Sequence, residues 1–483
     1  MTAAGLASAG AAPLLLSAGG DVLLTYAGAE AASDELAESL RPAARPGDVV
    51  SCVLPNGPAF VVTLLAVRKL GAVLAPLGVR LPEAERGRLL ERLRPTVLVS
   101  RGDAGVPPAA AASVAWEDPP RVEVVRARRP AGPASELSPT AGDALVLFTS
   151  GSTGAPKGVL LTAAAVDVGS GSVAARCALS PADRTVALLP WTHGHGLIGV
   201  LLSTMRSGGS VVVGPAGPAA ANLELALDAP GVTWVSVVPP QLAALCELAR
   251  DRPPPSWRFV RTASAPLSAA LGTRAEATFG CPVAEAYGMT ETAHEAAANE
   301  PAFTARRLGT VGVPSALRFR TGEPAGGGHL LEVSGPSLFR GYLDDGAATG
   351  RALEGGWYRT QDIGAIDPDG RIRLLGRLSD LINRMGNKVS PVEIEEALAR
   401  HPDVVASLAT RVPDERVGEE IGVVVVRRPD SALSAEDLER HCRALLAPYK
   451  IPRVVRFVED VPRLDNGKPS RALAMHLLLS DGG

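Results

Sequence analysis

Between residues 184 and 288, short apolar segments alternate with helix-like segments, and this alternation restricts the chain to a small set of folds. The apolar segments are 184–190, 210–214, 232–240, 257–264 and 281–288, and the helix-like segments are 196–209, 241–251 and 267–280. This order of strands and helices predicts parallel sheets with helices on their faces. In such α/β folds the ligand lies beyond the carboxyl ends of the strands, so a site is expected in the loops that follow them.

After about residue 300 the pattern changes. Residues 357–377 read as a hairpin with its turn at 367–370. A smaller α+β unit follows, with helices at 390–401 and 434–447 and strands at 404–412, 419–428 and 453–459. Because 483 residues are more than a single hydrophobic core usually accommodates, the sequence predicts two domains. We expect residues 1–375 to form a large α/β domain with parallel-rich sheets between helices, and residues 376–483 to form a small α+β domain.

Composition excludes several classes of protein. The chain has 48 basic and 51 acidic residues, interspersed, so no basic stripe indicates a nucleic acid or a membrane surface as partner. The five cysteines lie far apart, which predicts neither a zinc site nor a disulfide framework. The first twenty residues lack the basic start of a signal peptide, and no run approaches 18 apolar residues. We therefore expect a cytoplasmic protein.

The segment FTSGSTGAPKG, residues 148–158, combines glycines, hydroxyl residues and one lysine directly after an apolar strand. Small residues let backbone N–H groups approach phosphate oxygens closely, and lysine adds a positive charge. The pattern departs from the P-loop of nucleotide triphosphatases, because Gly158 follows Lys157 where that motif has serine or threonine. A phosphate-binding loop of another kind is therefore expected, with a flexible surface loop as the alternative.

Five further segments complete an ordered set. They are LPWTHGHGL (189–197), EAYGMTET (285–292), WYRTQDIG (357–364), GRLSDLINRMGNKVSP (376–391) and NGKPSR (466–471). Together with the loop, they resemble in order and spacing the motifs of the adenylate-forming superfamily, which includes acyl-CoA synthetases, luciferases and the adenylation domains of peptide synthetases. The resemblance covers nearly the whole chain. It implies ATP and Mg²⁺ as cofactors and a reaction that leaves AMP on a carboxylate.

The resemblance also implies roles for individual residues. The phosphates of ATP would be held by Thr149, Ser150, Gly151, Ser152, Thr153, Gly154, Lys157 and Thr290, and the nucleoside by Ser264, Ala265, Tyr287, Gly288, Asp362 and Arg377. Tyr287 would stack on adenine, Asp362 would bind the ribose, and Glu291 would bind the metal. Gln361 departs from the family, which usually has glycine there, so a different backbone conformation is a possible consequence.

Two further roles depend on the small domain. Lys468 would be carried into the active site to neutralise charge as the adenylate forms, with Thr290, Glu291 and His193 as the other catalytic residues. By family position Ser379 is the hinge. Gly386 and Asn387 would border the pantetheine of CoA, which we favour as the acceptor. Transfer to a carrier-protein pantetheine or to an amine stays open.

The acid is expected to contact His193, His195, Ala263, Gly288 and His294. The His-x-His-Gly-Leu pattern is similar to that of malonyl- and oxalyl-CoA synthetases. Malonyl-CoA synthetases place an arginine where this chain has Ala286, whereas oxalyl-CoA synthetases have alanine there and histidines and asparagines that match His294 and Asn299. A short polar acid such as oxalate is the best single hypothesis.

Other readings remain. The acid could be another small or an aromatic one, and the histidines could simply be packed and hydrogen-bonded. A catalytically silent nucleotide-binding protein is the alternative from a different class of function.

Overall fold

The computed structural model describes residues 10–101, 120–124, 137–149, 156–214, 219–463 and 469–480. Six predicted site residues lie outside these ranges, so their roles stay predictions. They are Ser150, Gly151, Ser152, Thr153, Gly154 and Lys468.

The first part of the chain alternates strands and helices. Its strands are β1 Pro13–Leu16, β2 Val22–Thr25, β3 Val49–Val53, β4 Val73–Pro76, β5 Val97–Arg101, β6 Pro120–Val124, β7 Asp143–Thr149, β8 Lys157–Thr162, β9 Arg184–Val186 and β10 Ser210–Val212. Its helices are α1 Tyr26–Leu40, α2 Pro58–Lys69, α3 Glu83–Leu93, α4 Ala163–Arg176, α5 Gly194–Gly196 and α6 Ser203–Ser207, with a π-helix at Leu197–Leu202 between the last two.

The middle of the chain continues the alternation and then turns to strands. Its strands are β11 Trp234–Val237, β12 Phe259–Thr262, β13 Val283–Tyr287, β14 Ala297–Ala298, β15 Val313–Pro314, β16 Arg318–Ala325, β17 Gly328–Ser334, β18 Gly341–Tyr342, β19 Leu353–Glu354, β20 Trp357–Ile366 and β21 Ile372–Arg377. Its helices are α7 Ala219–Asp228, α8 Pro239–Leu248, α9 Ala269–Phe279 and α10 Gly346–Ala352, with 3₁₀ turns at Thr290–Thr292 and Leu378–Asp380.

The last hundred residues form their own sheet and helices. The strands are β22 Ile382–Arg384, β23 Asn387–Val389, β24 Val404–Asp414, β25 Gly418–Arg427 and β26 Val454–Phe457. The helices are α11 Pro391–Leu398, α12 Ala435–Arg443 and α13 Arg471–Leu479, and a 3₁₀ turn lies at Pro448–Lys450.

The strand pairing confirms the predicted α/β class. Strands β7, β4, β3 and β5 are parallel at the centre of a seven-stranded sheet, with β18, β8 and β6 added antiparallel at its edges. A second sheet has the order β11-β12-β13-β14-β15, and its first three strands are parallel. A third has the order β2-β1-β10-β9. The apolar segments 184–190 and 210–214 therefore belong to a different sheet from the three segments that follow them.

The remaining sheets separate two parts of the chain. The antiparallel sheet β16-β17-β20-β19 contains the predicted hairpin, since β20 pairs with β21 through Asp362 and Arg377. The sheet β23-β22-β25-β24, with β26 beside β25, draws all its strands from residues 382–457. Its core is apolar: Ile394 of α11, Val423 of β25 and Leu438 of α12 are buried in one cluster. Residue 376 lies near the end of β21, six residues before the first strand of this sheet, and the domain boundary placed there stays a prediction.

The predicted helix 196–209 is interrupted. The chain forms α5, then a π-helix, then α6, which ends at Gly208 with a left-handed φ of +77°. A π-helix inside an α-helix is rare and is often found at a functional site. Here it carries Gly199, which lies against His294.

Two helical glycines give a test of the packing. A methyl group at Gly87 in α3 meets no atom within 4 Å, whereas at Gly169 in α4 it falls 2.3 Å from the backbone oxygen of Ala293. We expect Gly87→Ala to raise the free energy of unfolding by roughly 0.5–1 kcal/mol. We expect Gly169→Ala to lower it by on the order of 1–3 kcal/mol, because the backbone must shift. Urea unfolding of both variants measures the two signs, and equal effects would contradict the described contact of α4 with residue 293.

Candidate active site

A large cleft separates the first 377 residues from the small unit, and both sides line it. The large side contributes the ends of β7, β12 and β13, and the small side contributes α11, β24 and residues 469–472. The two sides also touch, since Ser390 Oγ donates a hydrogen bond to the carbonyl oxygen of Leu375. The hairpin with Gly386 and Asn387 is not among the described residues that line the cleft. In this conformation residues 469–472 of the small unit face the cleft.

Asp362, predicted to bind the ribose, lines the cleft and holds two other predicted residues together. Its side chain is buried, and Tyr287 donates its hydroxyl proton to Oδ2. Arg377 Nε donates to Oδ1 at 2.7 Å. A carboxylate has about four lone-pair sites, so two acceptor positions remain on Asp362. The predicted residues of the ribose region are thus brought together, and their geometry leaves room for two hydroxyl donors.

The backbone beside Asp362 answers a question that the sequence leaves open. Gln361 has a φ of +63°, in the left-handed region that favours glycine. Gln361 therefore adopts the backbone conformation expected of a glycine at this position, and Asp362 lies between Tyr287 and Arg377.

Glu291 lies deeper in the cleft. It follows β13 in the 3₁₀ turn Thr290–Thr292, and Tyr342 donates its hydroxyl proton to Oε1 at 3.0 Å. Burial raises the pKa of Glu291 above its usual value. Lys157 Nζ lies 4.7 Å from the centre of the Tyr342 ring. The predicted metal ligand and the predicted phosphate lysine therefore both contact one tyrosine.

The donor set suits a magnesium ion shared with phosphates. In the part of the chain that the structure describes, no group of three or more histidine, cysteine or acidic residues could hold a metal alone. Magnesium usually takes one or two carboxylates and completes its shell with water and phosphate oxygens. One buried carboxylate at Glu291, close to the end of the phosphate loop, fits that requirement.

The turn between Glu291 and Glu295 is strained. Ala293 and His294 both have left-handed φ values, +48° and +85°. A side chain at Gly288 would lie 1.5 Å from the carbonyl oxygen of His294, so only glycine fits there. Strain of this kind persists where the surrounding contacts enforce it, and it concentrates at functional sites. Here it holds the His294 side chain in the wall of the cleft.

The residues predicted to contact the acid include part of a buried polar group. The rings of His195 and His294 stack with centres 4.9 Å apart. His195 Nδ1 is 3.0 Å from Ser264 Oγ, and its Nε2 is 2.8 Å from Ser236 Oγ. Burial, and then the charge of Arg261, hold the pKa of His294 well below its ordinary value, so this histidine is neutral.

Two charged residues of this group were missed. Arg261 on β12 and Glu295 are fully buried and form an ion pair of 2.9 Å. Arg261 Nη1 also lies 3.3 Å from His195 Nε2. An arginine within an apolar strand gives no sequence signal of its own. Its position, three residues before Ser264 in WRFVRTAS, shows its relevance only when the fold is known.

The two histidines of LPWTHGHGL differ in environment. His195 is buried in the polar group, whereas His193 is exposed on the cleft wall at the start of α5. The roles predicted for His193 stay predictions. Asn299 serves the fold, because its side chain bonds the backbone of Arg307 and Thr310.

Small side chains surround Ala286, which lines the cleft. Ala263, Ala286 and Ala298 are buried and pack together. Ala286 stands where the sequence resemblance places an arginine in malonyl-CoA synthetases, and its neighbours are as small as itself. Tyr342 and Tyr358, with hydroxyl oxygens 3.5 Å apart, are further cleft residues that no prediction named.

Comparison with known proteins decides the family. The model of the AMP-binding enzyme matches residues 7–343, and the model of the AMP-binding enzyme C-terminal domain matches residues 393–468. The chain belongs to the AMP-binding enzyme family. The resemblance drawn from the six motifs is thereby confirmed.

Curated relatives of this AMP-binding enzyme carry several acid names. The oxalate–CoA ligase of Arabidopsis thaliana is 34% identical, with 90% of this chain and 89% of the relative aligned. The sulfoacetate–CoA ligase of Cupriavidus necator is 36% identical over 88% of this chain and 86% of the relative. A feruloyl-CoA synthase of Amycolatopsis sp is 33% identical over 93% of each chain.

Solved structures agree in fold. ATP-bound MatB from Rhodopseudomonas palustris superposes with a TM-score of 0.83 at 26% identity, covering 99% of both chains. The o-succinylbenzoate CoA synthetase MenE of Bacillus subtilis, solved with ATP and a magnesium ion, gives 0.78 at 26% identity, covering 97% of this chain and 98% of MenE. These complexes agree with the predicted use of ATP and Mg²⁺. In the described part of the AMP-binding enzyme, no helix combines the length and apolarity needed to cross a membrane.

Glu285 gives a test of the electrostatics of the cleft. Its buried carboxyl accepts a hydrogen bond from the backbone of Leu267, and burial, with a smaller effect of Glu396, raises its pKa from 4.5 to about 8. Between these two pH values, the folded protein keeps a proton that the unfolded chain has lost. The free energy of unfolding therefore falls as the pH rises from 4.5 to 8, by up to about 4 kcal/mol from this group.

We expect Glu285→Gln to remove this loss, so that the variant gains stability over the wild type as the pH rises through that range. Denaturant unfolding at pH 5, 6.5 and 8 measures the difference. Glu415→Gln, at an exposed glutamate, is the matched control and should leave the pH profile unchanged. A profile for Glu285→Gln parallel to the wild type would contradict a protonated carboxyl at this position.

Proposed function

We propose that this AMP-binding enzyme is an ATP- and Mg²⁺-dependent acid–CoA ligase, and that its acid is short and carries a second acceptor group such as the distal carboxylate of oxalate. The observation that carries the proposal is the arrangement of Asp362, Arg377, Glu291 and Lys157 around one cleft, beside a separate polar pocket. The curated relatives described above are named as CoA ligases or synthetases, which supports CoA as the acceptor.

The residues suggest how adenylation proceeds. Asp362 accepts from the ribose hydroxyls while Tyr287 and Arg377 keep its carboxylate in place. Lys157 and the loop before it bind the phosphates, and Glu291 contributes a carboxylate to the metal. The metal, when bound, withdraws charge from the phosphates and so favours attack by the acid at the α-phosphorus. This attack forms acyl-AMP and releases pyrophosphate.

Lys468 would act at the same step. A positive charge placed where the transition state develops negative charge is often the largest single catalytic contribution. We propose that Lys468 approaches the acid and the bridging oxygen, since residues 469–472 line the cleft in this conformation. For thioester formation the small domain would turn about Ser379 and bring Gly386 and Asn387 toward the pantetheine.

The acid pocket supports a small polar substrate. Ala263, Ala286 and Ala298 leave the wall without an anchoring arginine, and the polar group of His195, His294 and Ser264 lies beside them. Two of the relatives are named for acids with a second anionic group, oxalate and sulfoacetate. The feruloyl-CoA synthase keeps a larger aromatic acid as the alternative. Transfer to a carrier protein or an amine is the alternative acceptor.

An acid panel tests this proposal. ATP–pyrophosphate exchange with oxalate, malonate, succinate, sulfoacetate, acetate, propionate, butyrate and ferulate identifies acids that the enzyme adenylates. We expect the highest kcat/KM for a short acid with two anionic groups, and CoA-dependent release of AMP with that acid. Exchange with ferulate alone would overturn the proposed acid class. Exchange with none, together with ATP binding, would favour a silent nucleotide-binding protein.

The two half-reactions test the two-conformation mechanism. We expect Lys468→Ala to slow adenylation about 10²–10³-fold, the scale of one lost transition-state donor, and to spare CoA attack on supplied acyl-AMP. Ser379 lies in a 3₁₀ turn, whose backbone φ matches that of proline. Ser379→Pro should therefore hold the present conformation, keeping adenylation and slowing thioester formation.

Rapid-quench measurement of each half-reaction separates the two variants. Ser379→Ala is the control for loss of the hydroxyl, which bonds Asp380 at 3.0 Å. Equal losses in both half-reactions for both variants would contradict a rotation about residue 379.

A further inference from the structure

The polar group beside the acid pocket has a definite hydrogen-bond direction. An arginine can only donate hydrogen bonds. Arg261 Nη1 lies 3.5 Å from Ser236 Oγ, which accepts from it, and 3.3 Å from His195 Nε2, where a ring proton would face the N–H groups of the guanidinium, so Nε2 is assigned as the unprotonated nitrogen. Because Ser236 Oγ accepts from Arg261, its own proton is free to reach His195 Nε2 at 2.8 Å.

The direction continues through the imidazole. With Nε2 accepting, a neutral His195 carries its proton on Nδ1, the nitrogen that lies 3.0 Å from Ser264 Oγ. Ser264 therefore accepts from His195 and directs its own hydroxyl proton elsewhere. Ser264 lines the cleft, and its φ of +74° holds it in a conformation that few non-glycine residues adopt.

Arg261 itself does not reach the cleft. Its side chain is buried to 99%, and its charge is neutralised by Glu295 at 2.9 Å, whose other oxygen accepts from Ser315 at 2.8 Å. Arg261 thus influences the pocket from behind its wall, through its contacts with His195 and Ser236 and through the effect of its charge on His294. His294 also offers a hydrogen-bonding atom to a ligand. It is 5% exposed and lines the cleft, and its Nε2 has no hydrogen-bond partner among the described residues.

We propose that Arg261 is a positioning residue for acid selection. It fixes the direction of the chain Arg261–Ser236–His195–Ser264, so that the Ser264 hydroxyl is a donor toward the bound acid. The group that faces it must then be an acceptor, as a distal carboxylate or sulfonate is. This inference rests on the proposed function for the identity of the ligand as an acid, whereas the direction of the chain is a property of the protein alone.

The first experiment reads the direction without any substrate. Nitrogen-15 spectra of histidine-labelled enzyme distinguish the Nδ1–H from the Nε2–H form of a neutral imidazole, and His195→Gln assigns the signal. We expect His195 in the Nδ1–H form in the wild type. An Nε2–H form would overturn the inference, whatever the enzyme adenylates.

The second experiment measures how the enzyme selects between a diacid and a monoacid. The double variant Arg261→Gln/Glu295→Gln removes both charges at once and so leaves no unpaired buried charge. The amide at residue 261 can accept hydrogen bonds as well as donate them, so it no longer fixes the direction of the chain. For the best diacid of the panel, we expect KM to rise about tenfold with the KM for ATP unchanged. For the monoacid with methyl in place of the distal carboxylate, we expect less than a twofold change.

Three variants complete the test. Ser264→Ala should reproduce the loss of diacid selectivity, because it removes the donor. Arg261→Lys, which keeps a charged donor, should retain the wild-type ratio of the two KM values. Arg258→Gln, which removes an arginine that pairs with Asp183 outside this group, is the matched control and should also retain it.

Equal losses for the diacid and the monoacid would show that Arg261 only supports the fold, and would overturn the inference. Absence of exchange with every acid would refute the proposed function and, with it, recognition of an acid by Ser264. The histidine spectrum would still decide whether Arg261 sets the direction, so the two failures are distinguishable.

Discussion

The carboxylate of Asp362 is the contact on which the arrangement of the cleft depends. Tyr287 reaches it from the end of a parallel sheet, and Arg377 reaches it from the last residue of the hairpin before the small unit. The end of the parallel sheet and both strands of the hairpin therefore meet at one buried charge. Removing that charge would leave the buried phenol of Tyr287 and the half-exposed guanidinium of Arg377 without their shared acceptor.

Much of the fold follows from local signals. The alternation of apolar and helix-like segments was sufficient for the parallel strands β11 to β13, and the Asp-Pro-Asp-Gly turn was sufficient for the hairpin of β20 and β21. The division of the strands into separate sheets was not predictable, because each strand carries the same apolar pattern whichever neighbour it pairs with. The break in the helix 196–209 was missed as well, since a π-helix depends on what packs against it.

The candidate site shows the same limit. Residues within a recognisable motif, such as Glu291 and Asp362, could be named from the sequence. Arg261, Glu295 and Tyr342 belong to none of the six motifs, so no sequence pattern singled them out. A buried arginine becomes noticeable only when its partner is known, and Glu295 is 34 residues away along the chain. Both histidines of LPWTHGHGL line the cleft, but His195 is buried and His193 is exposed, a difference that the motif alone does not reveal.

The close contact of Gly199 with His294 bears on how this pocket can change during evolution. A single methyl group at residue 199 would lie 2.3 Å from His294 Nε2, so any larger residue at 199 and the imidazole in its present position exclude one another. A lineage that lost the histidine would gain room at this wall for a bulkier residue at 199, and that residue would then prevent the histidine from returning. Substrate range in such a descendant would be fixed by the order in which two neighbouring mutations occurred.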